Sequence, residues 1–222
     1  MPDKKRLIFA HRGLYSSGVP ENSLAAFENA VLSGLGIELD VRLTKDGIPV
    51  VFHDRTLKRM CGDPRKVSQL TLNEIQSLRL GGTDQKIPSL TEALELIGGR
   101  TPLLIETKLP KRYIWFHTLE RKIIPIIKSY AGEVLIQSFN SHSVRFLKRS
   151  LPEIQCGILS GSLYSEPKGF DFISYKLSGL TAEKSAELRK KYPMLFAWSL
   201  TALNNKQINS AFNDLSLDGI II

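Results

Sequence analysis

The sequence predicts an α/β protein built as a (β/α)8 TIM-type barrel, and three observations carry that expectation. Short apolar runs alternate with segments of helical period along most of the chain, the pattern of strand, helix, strand units around a parallel sheet. Two of the runs, 37–44 and 49–53, are joined only by the tight turn Lys45-Asp46-Gly47; they form a hairpin and count as one barrel position, which leaves eight. The length of 222 residues suits a small barrel of this kind, read as a single domain over 1–222.

In chain order, strands are expected over 7–11, 37–44, 49–53, 103–108, 134–139, 155–160, 170–176, 195–201 and 219–222. The first helix follows Asn22 or Ser23 as cap, carries Ala25, Ala26, Phe27, Ala30 and Val31, and ends near Gly34 or Gly36. Further helical patterns occupy 90–97, 113–129, 141–149, 181–191 and 205–215. Residues 55–88, punctuated by Cys61-Gly62-Asp63-Pro64 and Gly81-Gly82, are expected to form a small insert with one short helix near 72–80. Two irregularities are expected. The stretch 161–169 is shorter than the dozen or so residues that a helical crossover needs, so a loop is expected in place of one helix, and the last helix, which should follow Ile222, is either absent or outside the given sequence.

Bulk composition narrows the class. An apolar fraction of 42% with 23% charged residues is ordinary for a globular protein, and no stretch approaches the roughly 18 apolar residues of a membrane span. After the basic start Met1-Pro2-Asp3-Lys4-Lys5-Arg6 only four apolar residues precede His11, too few for a signal peptide, so a cytoplasmic protein without stable membrane insertion is expected. Cys61 and Cys156 lack metal-type spacing and are expected as free thiols. The net charge of +8 suits any anionic partner. Its basic residues are scattered, with no nucleic-acid module and no basic stripe interleaved with aromatics, which argues against a nucleic-acid binder.

The chemistry lies at the strand ends. In Ile37-Glu38-Leu39-Asp40-Val41-Arg42-Leu43, alternation sets Glu38, Asp40 and Arg42 on one face and aliphatics on the other. In a parallel barrel the outer face lies under helices, so the charges must point inward, where paired carboxylates cost several kcal/mol unless a cation neutralises them. Glu106 and Lys108 share one face at the end of another apolar strand, His11 and Arg12 end the first, and His53 and Asp54 end a third. Glu38, Asp40 and Glu106 offer only hard oxygen donors, which favour Mg²⁺, Ca²⁺ or Mn²⁺ over Zn²⁺. Arg12 and Lys108 suit a phosphate. His11 and His53 suit a general acid and base pair. Together these residue types point to metal-assisted phosphoryl transfer to water.

Asn22 and Ser23 are read as a helix cap and not as ligands, Asp54 as a turn residue or a support for His53, and His117 and His142 as surface residues. Trp198 alternates with Phe196 and Leu200, so core and pocket roles stand level for it.

The same residues resemble the glycerophosphodiester phosphodiesterase family. His11-Arg12-Gly13, Pro20-Glu21-Asn22-Ser23, Glu38-Leu39-Asp40-Val41, Leu43-Thr44-Lys45-Asp46-Gly47, Val50-Val51-Phe52-His53-Asp54, Ile87-Pro88-Ser89-Leu90, Ile105-Glu106-Thr107-Lys108, Ser138-Phe139 and Ala197-Trp198-Ser199 match its motifs in order over nearly the whole chain. The resemblance implies the barrel, one divalent ion (Mg²⁺ or Ca²⁺, with Mn²⁺ as a third choice) held by Glu38, Asp40 and Glu106, and His11 with His53 as the acid and base. It further implies phosphate binding by Arg12 and Lys108, support from Glu21, a pocket lined by Phe139 and Trp198, and cleavage of glycerophosphodiesters such as glycerophosphocholine or glycerophosphoethanolamine to sn-glycerol 3-phosphate and an alcohol. A lysophospholipid is the alternative substrate, although the polar insert offers little for an acyl chain. Where the family carries Thr, an aliphatic and Asn after the tryptophan, this chain has Ser199, Leu200 and Thr201, a departure on the alcohol side of the pocket.

Overall fold

A computed structural model describes residues 6–108, 117–161, 166–199 and 203–222. Strands and helices alternate along most of the described residues in the order of the (β/α)8 TIM-type class, with an antiparallel hairpin strand and the short helices of the 55–88 segment added. No helix among the described residues is long and apolar enough to cross a membrane. The chain divides into two compact units, Ala10–Val134 and Met1–Phe9 with Leu135–Ile222.

The unit Ala10–Val134 holds the end of β1 (Leu7–His11), then α1 (Leu24–Leu32), β2 (Gly36–Leu43), β3 (Pro49–Val51), α2 (Lys58–Cys61), α3 (Leu72–Gln76), α4 (Leu90–Ile97), β4 (Leu103–Thr107) and α5 (Thr118–Lys128). Helix α1 starts where Ser23 Oγ accepts the Ala26 N–H, and α4 where Ser89 and Glu92 cap each other's backbone before an Ala-Leu-Ile stripe. Strand β2 runs parallel to β4, with Glu38 opposite Leu104 and Asp40 opposite Glu106, and antiparallel to β3, with Val41 opposite Val51. Both β2 and β4 are buried through their charged positions, as expected of strands covered on both faces.

The 55–88 segment is more structured than its composition suggests. In place of one helix near 72–80 it forms α2, a 3-10 turn at Val67–Gln69, and α3 capped reciprocally by Thr71 and Glu74. Three- to five-residue helices are too short to print a 3.6-residue period, which is why only one was foreseen. They close over an apolar cluster of Leu57, Val67, Leu70, Ile75, Leu80 and Ile87, seated on Val50 and Phe52. Each such side chain contributes about 1.5–3 kcal/mol when fully buried.

In the second unit β5 (Val134–Ser138), β6 (Gln155–Ser160), β7 (Phe172–Lys176), β8 (Met194–Trp198) and β9 (Gly219–Ile221) pair successively in parallel, and β9 pairs with Leu7 to Phe9 of β1. Helices α6 (Ser141–Ser150), α7 (Ala182–Arg189) and α8 (Asn205–Asp214) intervene. No helix lies in the described part of the 161–169 connection, in line with its shortness. Residues 113–116 of the expected 113–129 helix, and Leu200 and Thr201 of the expected 195–201 strand, lie outside the described residues.

Candidate active site

The β2–β4 register sets Asp40 beside Glu106, and Glu38 lies two residues earlier on the same face of β2. Ligand atoms of the three carboxylates lie within 4.8 Å of one another, and all three side chains are buried. Burial, together with Asp40 and Glu106 nearby, pushes the Glu38 carboxyl well above the usual carboxylate range. Burial likewise raises Glu106, to about 7, although Lys108 works against the rise. Burial also opposes ionisation of Asp40, but Lys108, His53 and Arg12 outweigh it and bring that group down to about 2.

The compensating cations are unevenly placed. Lys108 Nζ lies 3.0 Å from Asp40 Oδ1 and in contact with Glu106 Oε1, and Arg12 Nε lies 3.5 Å from Asp40 Oδ2. Glu38 accepts the Arg12 backbone N–H at 3.1 Å and feels Lys108 at longer range. Burial holds Glu38 and Glu106 toward their neutral forms even with Lys108, Arg12 and Arg42 nearby, so three carboxylates whose oxygens lie within 4.8 Å of one another can all ionise only when a further cation joins them. Donor chemistry and charge therefore both fit a hard divalent ion.

The backbone around Arg12 explains why His-Arg-Gly stands here. Arg12 takes a positive φ of 60°, uncommon outside glycine, which aims its N–H at Glu38 and its carbonyl at the Asn22 N–H, 2.9 Å away. At Gly13 φ is 80°, and a Cβ would stand 2.9 Å from the Ala26 backbone, so only glycine lets the loop pack against α1. Arg12 Nη1 donates to Glu21 Oε1 at 2.9 Å.

His11 and His53 belong to the same electrostatic cluster. Burial, then Arg12, lower the His11 pKa to about 4, with Asp40 pulling the other way; Lys108 and His53 add to the lowering. Burial lowers His53 as well, while Asp40 and a hydrogen bond with Asp54 favour its charged form. His53 Nδ1 is 2.7 Å from Asp54 Oδ1, and the His53 carbonyl accepts Arg42 Nε and Nη2 at 2.8 and 2.6 Å. Asp54 thus supports its neighbour, the second of the two roles considered for it.

Phe139 and Trp198 lie in the other unit, where they form an edge-to-face pair with ring centroids 6.4 Å apart. Phe139 is 43% exposed; Trp198 Nε1 donates to the Ser160 carbonyl, and Lys176 Nζ stands 6.0 Å over its ring.

Three expectations need correction or addition. Ser23 alone caps α1, whereas Asn22, at φ 54°, turns its amide onto Asp40 Oδ2 at 2.9 Å. His117 is half-buried, with Nδ1 3.4 Å from the buried Glu120, and is not a surface residue without carboxylate company. Arg59 drew no notice in the sequence, yet it binds both Asp54 and Glu21. A cation in a four-residue helix carries no periodic signal, so nothing in the local pattern singles Arg59 out.

Residues 11–212 match the model of the "Glycerophosphoryl diester phosphodiesterase family". A protein of Caldanaerobacter subterraneus subsp. tengcongensis named glycerophosphodiester phosphodiesterase is 35% identical over 98% of this chain and 93% of its own. Another of that name, from Bacillus altitudinis, is 31% identical over 96% and 92%. Among solved structures, a glycerophosphodiester phosphodiesterase of Thermotoga maritima superposes with TM-score 0.74 at 28% identity, over 97% of this chain and 93% of that one. An Oleispira antarctica phosphodiesterase, solved with its product sn-glycerol-3-phosphate, superposes with TM-score 0.83 over 97% and 92%; at 24% identity it speaks for the shared fold.

Proposed function

Because the chain belongs to the glycerophosphoryl diester phosphodiesterase family, and is an enzyme of that kind, we propose that it hydrolyses small glycerophosphodiesters to sn-glycerol 3-phosphate and an alcohol with the help of one divalent ion. The observation that carries the reading is the buried trio Glu38, Asp40 and Glu106, whose oxygens lie within 4.8 Å of one another. These three residues would hold Mg²⁺, Ca²⁺ or Mn²⁺. Such an ion, when bound, supplies Lewis-acid polarisation of the phosphoryl oxygens and offsets the charge that develops on them.

The protein's own groups do the rest. Arg12, held by Glu21 through Nη1, and Lys108 bind the phosphodiester anion and stabilise added charge in a site shielded from water. His53, its Nδ1 turned to Asp54, presents Nε2 and takes a proton from the attacking oxygen as the new P–O bond forms. His11 gives a proton to the alcohol oxygen as the old P–O bond breaks; the bound phosphate anion favours its charged form. The attacking oxygen belongs to water, or first to the substrate's own neighbouring hydroxyl through a cyclic phosphate. Phe139 and Trp198 are proposed, on the family resemblance, to line the alcohol side of the pocket, and Ser199, Leu200 and Thr201 to alter contacts there.

Purified protein is incubated with glycerophosphocholine or glycerophosphoethanolamine in EDTA, then with Mg²⁺, Mn²⁺ or Ca²⁺, and glycerol 3-phosphate is measured with a coupled enzyme. The expected result is release that EDTA stops and one of the ions restores. Folded protein that releases none with any ion would overturn the substrate assignment. The same mixtures, quenched early and read by phosphorus NMR, separate the two routes: a transient cyclic phosphate marks the second.

A further inference from the structure

Helix α2 has four residues and buries none of them, yet Arg59 within it is placed with care. Leu57, just before the helix, is fully buried in the apolar cluster of the 55–88 segment, Met60 and Cys61 pack against that cluster, and the Met60 carbonyl accepts the Gly81 N–H at 2.7 Å. So anchored, the Arg59 guanidinium donates Nε to Asp54 Oδ2 at 2.6 Å, Nη2 to Glu21 Oε1 at 2.6 Å and Nη1 to Glu21 Oε2 at 3.0 Å.

Both acceptors have a second partner in the site. Asp54 uses its other oxygen for His53 Nδ1 at 2.7 Å, and Glu21 Oε1 also receives Arg12 Nη1 at 2.9 Å. Asp54 is one-quarter exposed and follows a turn, so without Arg59 its carboxylate can rotate into water and release the imidazole. A solitary ion pair this exposed contributes little to stability, about 0–1 kcal/mol. Three donors spread over two carboxylates, each already engaged with a residue of the site, are better suited to fixing geometry than to stabilising the fold.

We propose that Arg59 is a positioning residue for the reaction: delivered by the 55–88 segment, it pins Asp54 behind His53 and Glu21 behind Arg12, and so fixes the tautomer of the base and the aim of the phosphate-binding fork. The assignment rests on the roles given to His53 and Arg12 above. It makes the segment part of the working site. Arg59 acts through Asp54 on the proton-accepting side and through Glu21 on the phosphate side.

The test uses Arg59→Ala, Arg59→Lys, Asp54→Ala and the Arg59→Ala/Asp54→Ala double variant of the full chain, each checked for an unchanged unfolding midpoint. Expected for Arg59→Ala is a fall in kcat of about thirtyfold with KM within about threefold, partly restored by added guanidinium. Arg59→Lys should retain an intermediate rate, and removing Arg59 in the Asp54→Ala background should cost far less than in the parent, because the two act as one unit. Nitrogen-15 NMR of labelled histidine, assigned with His53→Gln, reads the same device without any substrate. The parent should show a protected His53 Nδ1–H, and Arg59→Ala should lose it to exchange. An unchanged Nδ1–H signal in Arg59→Ala would overturn the proposal, whatever the substrate proves to be. So would equal losses in the two backgrounds, which would mark Arg59 as a purely structural tie.

Discussion

Asn22 clasps Asp40 at two points: its Nδ2 donates to Asp40 Oδ2 at 2.9 Å, and its Oδ1 accepts the Asp40 backbone N–H at 3.4 Å. The clasp fixes the rotamer of the one carboxylate in the trio that stays ionised without an added cation. Second-sphere contacts of this kind typically contribute 10–100-fold in metal affinity. Asn22→Ala should therefore weaken Mg²⁺ binding by about that factor while Ser23 keeps capping α1. Titration calorimetry on the folded variant checks it.

Glu38 offers a separation of stability from activity. Its buried charge has a backbone N–H and no cation of its own. Glu38→Gln keeps that acceptor and removes the like-charge repulsion, so the metal-free variant should be more stable than the parent by about 1–3 kcal/mol. Hydrolysis should fall on the order of a thousandfold with the loss of a ligand. Denaturant melts in EDTA and turnover in Mg²⁺ measure the two effects.

Binding of the ion should release protons near neutral pH. Burial raises Glu106 to about 7 and lifts Glu38 well above the usual carboxylate range, so at pH 6 Glu106 is largely protonated, and an ion must displace that proton. In the metal-free protein these raised carboxylates cost stability as pH climbs from their unfolded value to their folded one; a bound ion cancels the cost. The increase in Tm on adding Mg²⁺ should thus be larger at pH 8 than at pH 6, and comparing samples with and without ion removes the opposing contribution of the two histidines.

The acid limb of kcat/KM should fall below the ordinary histidine value of 6.5, since burial lowers His53, whose neutral form must accept the proton. The Asp54 hydrogen bond favours charged His53, so Asp54→Asn should move the limb to lower pH as well as reduce the rate. A pH series at subsaturating substrate reads both, and a limb that moves upward would contradict the assignment of His53 as base.

Gly13→Ala should destabilise the fold by about 1–3 kcal/mol, because a side chain there must accept φ of 80° and a 2.9 Å approach to Ala26. Thermal unfolding checks it directly.

The trio was readable in the sequence because β2 writes its alternation plainly: Glu38, Asp40 and Arg42 interrupt a strand that must be buried on both faces. The hairpin at Lys45-Asp46-Gly47 was readable from turn chemistry, and α4 from its period, residue for residue. Asn22 was misread because Asn before Ser-Leu-Ala-Ala satisfies capping preferences as well as Ser23 does; only its left-handed backbone, invisible in a residue name, turns the amide to Asp40. Arg59 was invisible for a related reason. Its partners lie 5 and 38 positions away, and no local pattern encodes which of many loop cations finds them.

The apolar cluster under the 55–88 segment has a further consequence. A segment with a core of its own can open as a cooperative unit while the strands around it stay folded. Opening would withdraw Arg59, and heat inactivation would then set in at a temperature below global melting. Cavity-forming changes at Leu70 or Ile75, far from any reacting atom, would lower that threshold first, so tolerance of the working enzyme to warming is written in the packing of a loop.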